Sequence, residues 1–421
     1  RASEMPAPTF FLPMSPLVRT ACLLFALSKG FCFAQQDSGI AKALEGLPED
    51  VRSQVKLTPS GAAAFTIDPA DPITAAVHFA SRMTGDDDLR NRSLYRAGQR
   101  AIRQGRHALA RELSATLTDY RAALLLAELA GDVANSDPSR AREWWDLSAS
   151  MTKLVKPWQA ETIASRLVVS GHLMELGQAK IAPWFQSIRE PILHFTTGAE
   201  IIAADAARSG SFDLLTYRAE RQHIQRDVPM PGLLEVARRL LDASVAAAKK
   251  PEAITLTRAA LEVLRDSNVT HAELVIEAAT KLFQAGEQEL AKEAFNAVEK
   301  LLGGPPDEVA RLHYHMACLW QARGQGNTLS LLLERSEKDA RALEQMYHPF
   351  AFAWLGAAWE KLEDKAKSEA LAIAAAETAK TNVNPRMRHL GAFEICLCYS
   401  ATARSLSPNV AKLLHEINGG N

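Results

Sequence analysis

The chain has 421 residues, room for about three ordinary domains or one long repeat array. With 47% hydrophobic and 23% charged residues it can bury a large core, which excludes a disordered polyelectrolyte. A formal net charge of −1 argues against coating nucleic acid or anionic membrane, and an apolar set led by Ala and Leu favours helices over strands.

Residues 1–34 read as a secretory leader. Met14-Ser-Pro-Leu-Val-Arg19 supplies a short basic region and Ala21 to Leu27 an apolar one. Cys32-Phe33-Ala34 places small residues at −3 and −1 before Gln35, the layout of a cleavage site. The expectation is export, periplasmic or secreted, after cleavage at Ala34; the alternative is a cytoplasmic chain with an uncleaved N-terminus. Lys29 interrupts the apolar run, so no membrane span is expected here or elsewhere. Residues 35–71, broken by Pro48, Pro59-Ser-Gly61 and Pro69, read as a lead-in with little regular structure. Of five cysteines, Cys22 and Cys32 fall in the leader. Cys318, Cys396 and Cys398 are no disulfide framework and read as small buried hydrophobes.

From Pro72 to the C-terminus the predicted fold is all-α. Pro72 opens a helix that Gly85 ends, and Asp86-Asp87-Asp88 caps the next. Beyond it, stretches of helical periodicity alternate with short breaks carrying Gly or Pro. Gly105, Gly177, Gly210, Gly286 and Gly324, with Glu363 at the matching position, mark the turns between paired helices. Small residues (Gly98, Ala279, Ala317, Gly356) precede those turns and let two helices approach closely. Bulky ones (Leu282, Trp320, Trp359) fill the groove between them. The segments 121–156, 191–222 and 232–266 read as further helical hairpins.

This pattern resembles the tetratricopeptide repeat family, most closely over residues 272–305 and 310–340, then 349–380 and 91–118. The resemblance spans roughly residues 90–420 and implies a right-handed α-solenoid over 72–421 whose first helices line a concave groove. A single hairpin cannot bury its own apolar face, so stacking is required in any case. The groove residues implied by the register are Arg92, Tyr95, Gln99, Ile102 and Arg103, then Glu273, Ile276, Thr280, Phe283 and Gln284, then Arg311, Tyr314, Cys318, Gln321 and Ala322. Such a mixed polar and aromatic lining suits peptide binding.

The chain carries no Gly-rich phosphate loop, Gly-x-Ser-x-Gly elbow, His-Glu-x-x-His or Cys-x-x-Cys motif. His313 and His315 are two apart on a helix and point to different faces, which makes them poor joint metal ligands. No catalytic residue, metal or cofactor is therefore predicted. One charge pattern stands out: Arg92, Arg96, Arg100 and Arg103 share one helix face. It reads either as a basic stripe for an acidic peptide, phosphate or glycan carboxylate, or as a solvated face balanced by Asp86–Asp88 and Glu112. The expected function is a non-catalytic scaffold that binds a protein or peptide partner in its groove. The alternative is an α/α-toroid hydrolase or lyase acting on a polysaccharide, which needs paired carboxylates.

Overall fold

Hairpin turns are where the local sequence dictates structure most visibly. At Gly105, Gly286 and Glu363 the backbone takes a positive φ of 69°, 89° and 65°. At each, that residue's N–H bonds the carbonyl three back, and the next N–H bonds the carbonyl five residues before it. Gly105 donates to Ile102 at 2.8 Å and Arg106 to Ala101 at 2.9 Å. Gly286 and Glu287 repeat this on Phe283 and Leu282, and Glu363 and Asp364 on Glu360 and Trp359. This paired bond satisfies carbonyls that a helix end leaves orphaned. Two further turns have it without glycine: Glu175 at φ 53° and Ala403 at φ 54°. The turn expected at Gly177 is thus centred two residues earlier, on Glu175, and Gly177 instead precedes the next helix as its N-cap.

The computed structural model describes residues 67–225, 228–247, 249–267, 272–289, 291–292, 310 and 326–419. The leader, most of the lead-in, Cys22, Cys32, Cys318, Gly324 and the predicted groove residues Arg311, Tyr314 and Gln321 lie outside them. Residues 1–64 and 65–421 separate as two units, and every described residue belongs to the second. Among the described residues it holds seventeen α-helices. These are α1 Pro72–Ser81, α2 Asp87–Arg103, α3 His107–Thr116, α4 Arg121–Asp132, α5 Pro138–Met151, α6 Pro157–Leu173, α7 Gln178–Ser187, α8 Pro191–Ser209 and α9 Leu214–Arg221. They continue as α10 Leu233–Ala246, α11 Lys250–Asp266, α12 Ala272–Gln284, α13 Gly326–Arg341, α14 His348–Lys361, α15 Lys365–Thr381, α16 Pro385–Ala401 and α17 Pro408–Gly419.

Capping follows the sequence. Asp86 Oδ1 accepts from the Leu89 N–H at 3.0 Å, and Asp137, Asp213 and Asp364 do the same for α5, α9 and α15. Pro occupies the first turn of eight helices, among them α1, α6 and α16, where its missing N–H has no intrahelical acceptor to lose. Gly98 permits a close approach of α2 and α4. A Cβ there would come within 2.5 Å of Leu125 Cδ2 on α4.

The first helices of successive hairpins pack on one another: α2 on α4, then α6, α8, α10 and α12, and further on α14 on α16. Their partners α3, α5, α7, α9, α11, α15 and α17 pack on the other side. A repeat pattern alone predicts an elongated array with two separate ends; in this molecule the ends meet. α16 packs along α1 and also touches α2. Ile73 and Phe79 of α1, Phe393 and Cys396 of α16 and Leu414 of α17 are buried in one core. Polar contacts cross the seam. Arg96 grips Glu394 with both nitrogens, at 2.5 and 3.0 Å, and lies over the Phe393 ring. Arg100 donates to the Ser400 carbonyl at 2.5 Å, Arg386 reaches Asp86 at 3.3 Å, and the Leu406 N–H bonds the Pro69 carbonyl at 2.9 Å. A second core, around Leu124, Trp144, Trp145 and Leu167, fills the α4–α6 sector. Both tryptophans are buried, and Trp145 donates its ring N–H to the Leu167 carbonyl at 2.9 Å. Cys396 and Cys398 are fully buried, which pushes both thiols well above their usual range. No helix among the described residues is long and apolar enough to cross a membrane.

Candidate functional site

Closure turns the first-helix faces toward a common interior. A cavity of about 820 Å³ is lined from α2, α4, α6, α10 and α12. A second, of about 280 Å³, is lined from α2, α10, α12, α14 and α16. Gln99, Arg103, Arg238 and Glu277 border both, so the two are chambers of one lumen. Charged residues are rare inside helical cores, and these pair with one another or border the lumen.

The first chamber is a network of both signs. Arg166 of α6 holds Glu200 of α8 through two bonds of 2.8 and 2.5 Å, and Arg239 of α10 stands 3.8 Å from the same carboxylate. Glu200 is 0% exposed, so this pair is a wall element rather than a free ligand group. The surrounding carboxylates raise the Arg166 guanidinium further above its already high range, against the cost of its burial. Glu128 of α4 accepts from the Tyr95 hydroxyl at 2.6 Å and from the Gln99 amide at 3.3 Å. Burial within the ring pushes its carboxyl up, and Arg166 and the two hydrogen bonds offset only part of that. The same surroundings, with Glu128 itself, push the Tyr95 phenol far above its ordinary value. Glu235 moves the other way. Burial opposes its ionisation, but Arg239, Arg166, Arg238 and Arg103 together hold its carboxyl below the usual range. Enclosure and the neighbouring Glu277 push Asp242 up.

The four arginines of the predicted stripe do four different things. Arg92 stays outside, exposed and paired with Asp88 at 2.5 Å. Arg96 and Arg100 hold the seam. Arg103 alone opens into both chambers, and among the described residues it has neither an ion-pair nor a hydrogen-bond partner. Of the predicted groove residues on α2, Tyr95, Gln99, Ile102 and Arg103 line the first chamber and Arg92 does not. On α12 the register is shifted: Leu274 and Glu277 border the lumen, Ile276 lines neither chamber, and Gln284 borders a separate small cavity. Glu128, Arg166, Glu235, Arg238 and Arg239 were not legible as a site. α4 and α10 lie in segments that read only as helical hairpins, and α6 was marked only by the turn assigned to Gly177. The only local signal was a charged residue inside an apolar helical run, as at Glu128 between Ala127 and Leu129.

No group of three or more His, Cys, Asp or Glu side chains among the described residues could hold a metal ion. Together the fold and lumen define a class: an all-α chain of helical hairpins packed around a polar interior. Compared with protein-family models, curated proteins and solved structures, the chain matches none.

Proposed function

We propose that this protein is a non-catalytic binding module of tetratricopeptide-like hairpins that holds an extended polypeptide segment in its lumen. The observation that carries the reading is the lining of the larger chamber. Five helices present carboxylates, guanidiniums, an amide and a phenol around about 820 Å³. A peptide carries backbone amides and side chains of both signs, and such a wall offers partners to each. Near-neutral net charge fits a specific polypeptide partner rather than a polyanion. In this reading the open right-handed solenoid of the repeat family is replaced by its ring-closed counterpart, and Arg103, Tyr95 and Gln99 are the contacts retained from the predicted groove.

The test is selection from a random peptide library on the full chain, followed by affinity measurement. Selected peptides are expected to weaken on Asp242→Lys, a charge reversal in the lumen, and to be indifferent to Arg92→Ser outside it. Peptides that respond to Arg92→Ser and ignore Asp242→Lys would overturn the assignment.

One observation favours the α/α-toroid hydrolase or lyase as a second reading. Two carboxyls of one chamber are pushed apart, Glu128 up and Glu235 down, as an acid and its charged partner would be. Release of reducing ends or unsaturated products from polysaccharides, abolished by Glu128→Gln, would establish it. For the address, we propose export with cleavage after Ala34; N-terminal sequencing of the mature protein should then begin at Gln35.

A further inference from the structure

The second chamber differs chemically from the first. One wall is apolar: Leu274 of α12, Phe350 and Trp354 of α14 and Leu397 of α16. Leu274 is buried, Phe350 and Leu397 are half-buried, and the Phe350 and Trp354 rings stand 6.2 Å apart. Among the described residues, the rest of the lining carries four guanidiniums, Arg96, Arg100, Arg103 and Arg238, against two carboxylates, Glu277 and Glu394. Both carboxylates are already engaged, Glu394 by Arg96 and Glu277 by Lys281 at 3.0 Å. Among the described residues, Arg238 reaches its nearest carboxylate, Glu235, only at 3.9 Å, and Arg103 acts on Glu235 through its charge without a carboxylate in ion-pair or hydrogen-bond range. Among the described residues, the junction with the main lumen therefore holds two guanidiniums, Arg103 and Arg238, with no carboxylate in hydrogen-bond range, and the chamber also has aromatic lining.

We propose that this chamber is a small-molecule site for a monocarboxylic acid with an aryl or alkyl body. The carboxylate sits between Arg103 and Arg238 and the body lies against Trp354 and Phe350. A guanidinium meets a carboxylate through two parallel N–H bonds, a geometry an ammonium lacks. The volume of this chamber fits a small molecule. A cavity of about 150 Å³ holds one benzene ring, and about 280 Å³ leaves room for a ring and a short acid arm. The inference goes beyond peptide binding in the larger chamber and does not depend on it.

The test is calorimetry on the full chain with four probes: 3-phenylpropanoate, octanoate, 3-phenylpropanamide, and N-acetyl-Ala-Ala-Phe with a free C-terminus. The amide keeps the body and loses the charge. The expected result is that 3-phenylpropanoate or octanoate binds about tenfold or more tightly than the amide, a difference of about 1.4 kcal/mol or more. Arg103→Gln should erase that preference. Arg103→Lys, which keeps the charge and loses the fork, should retain part of it. Arg103 is exposed to the lumen and has no hydrogen-bond or ion-pair partner among the described residues, so both variants should fold, as circular dichroism would verify. Equal affinity for acid and amide, absence of binding by all probes, or an undiminished preference in Arg103→Gln would each overturn the proposal. So would tighter binding of the tripeptide than of either small acid, which would make the chamber part of a polypeptide groove. If acid and amide bind equally while library peptides still bind and respond to Asp242→Lys, this inference fails and the lumen reading stands.

Discussion

Removing Arg166 should be among the most damaging single changes to this lumen. Glu200 is 0% exposed, and its carboxylate is held by two bonds of 2.8 and 2.5 Å. With charge centres about 4 Å apart and an effective dielectric near 20, the attraction is about 4 kcal/mol. Breaking a buried pair by deleting one partner typically costs about 3–5 kcal/mol, because the survivor stays charged and unpaired. Arg239, 3.8 Å from the same carboxylate, compensates in part, so Arg166→Met is expected to destabilise by about 3 kcal/mol, the lower end of that range. Adding Glu200→Leu removes the stranded charge and should recover most of the loss. Urea denaturation gives the global value. Stacked hairpins gain stability from their neighbours, so amide hydrogen exchange in α6 and α8 should report the same loss locally. A destabilisation by Arg166→Met under about 1 kcal/mol, the range of an exposed salt bridge, would refute the picture of a buried wall pair. So would a double variant no more stable than the single.

Four further outcomes follow from specific contacts. A Cβ on Gly391 would meet Ala379 Cβ at 2.9 Å and Pro349 Cγ at 3.0 Å, neither able to swing aside; Gly391→Ala should cost about 1–3 kcal/mol by overpacking. At Gly198 the nearest atom is 3.9 Å away, so Gly198→Ala should instead stabilise by about 1 kcal/mol through helix propensity, and matching signs in thermal denaturation would contradict the packing. Glu128 has its folded pKa raised by burial, so its contribution is fully present below the ordinary glutamate value of about 4.3 and is lost as pH rises through the folded value. The stability of Glu128→Gln relative to the parent should therefore increase from pH 4 to pH 7, and a relative decrease in urea titrations would oppose the assignment. At the seam, Arg96→Met and Glu394→Gln should show a coupling of about 1 kcal/mol or more in a double-mutant cycle, whereas the exposed Arg92→Ser should stay within about 0.5 kcal/mol.

The all-α class and the hairpin rhythm were legible because both rest on local physics. Asp86 caps α2, Gly105 and Gly286 adopt positive φ, and Gly98 abuts Leu125 as its small size requires. Even the reading of Glu363 as a glycine substitute holds, since it adopts φ 65°. Glu175 and Ala403 use the same turn without glycine, and the glycine pattern missed them. What the sequence hid was long-range. The face of α2 bearing Arg96 and Arg100 looks like a ligand stripe, yet its partners, Glu394 and Ser400, arrive from the other end of the chain. Ring closure converts two of four arginines into joints and leaves Arg103 to the lumen. The lumen carboxylates escaped for a related reason. An isolated Glu in an apolar helix, as at Glu128 and Glu200, has no meaning until the helix carrying its partner is placed.

The central proposal is that the interior of this ring binds a polypeptide segment. A library-selected peptide bearing a benzophenone, irradiated on the full chain and mapped by mass spectrometry, tests it most directly. The account predicts cross-links on the inward faces of α2, α6, α10 and α12, at or beside Ile102, Val169, Arg238 and Glu277. Cross-links confined to the outer helices α3, α5, α7 and α11, with none on the lumen faces, would contradict it.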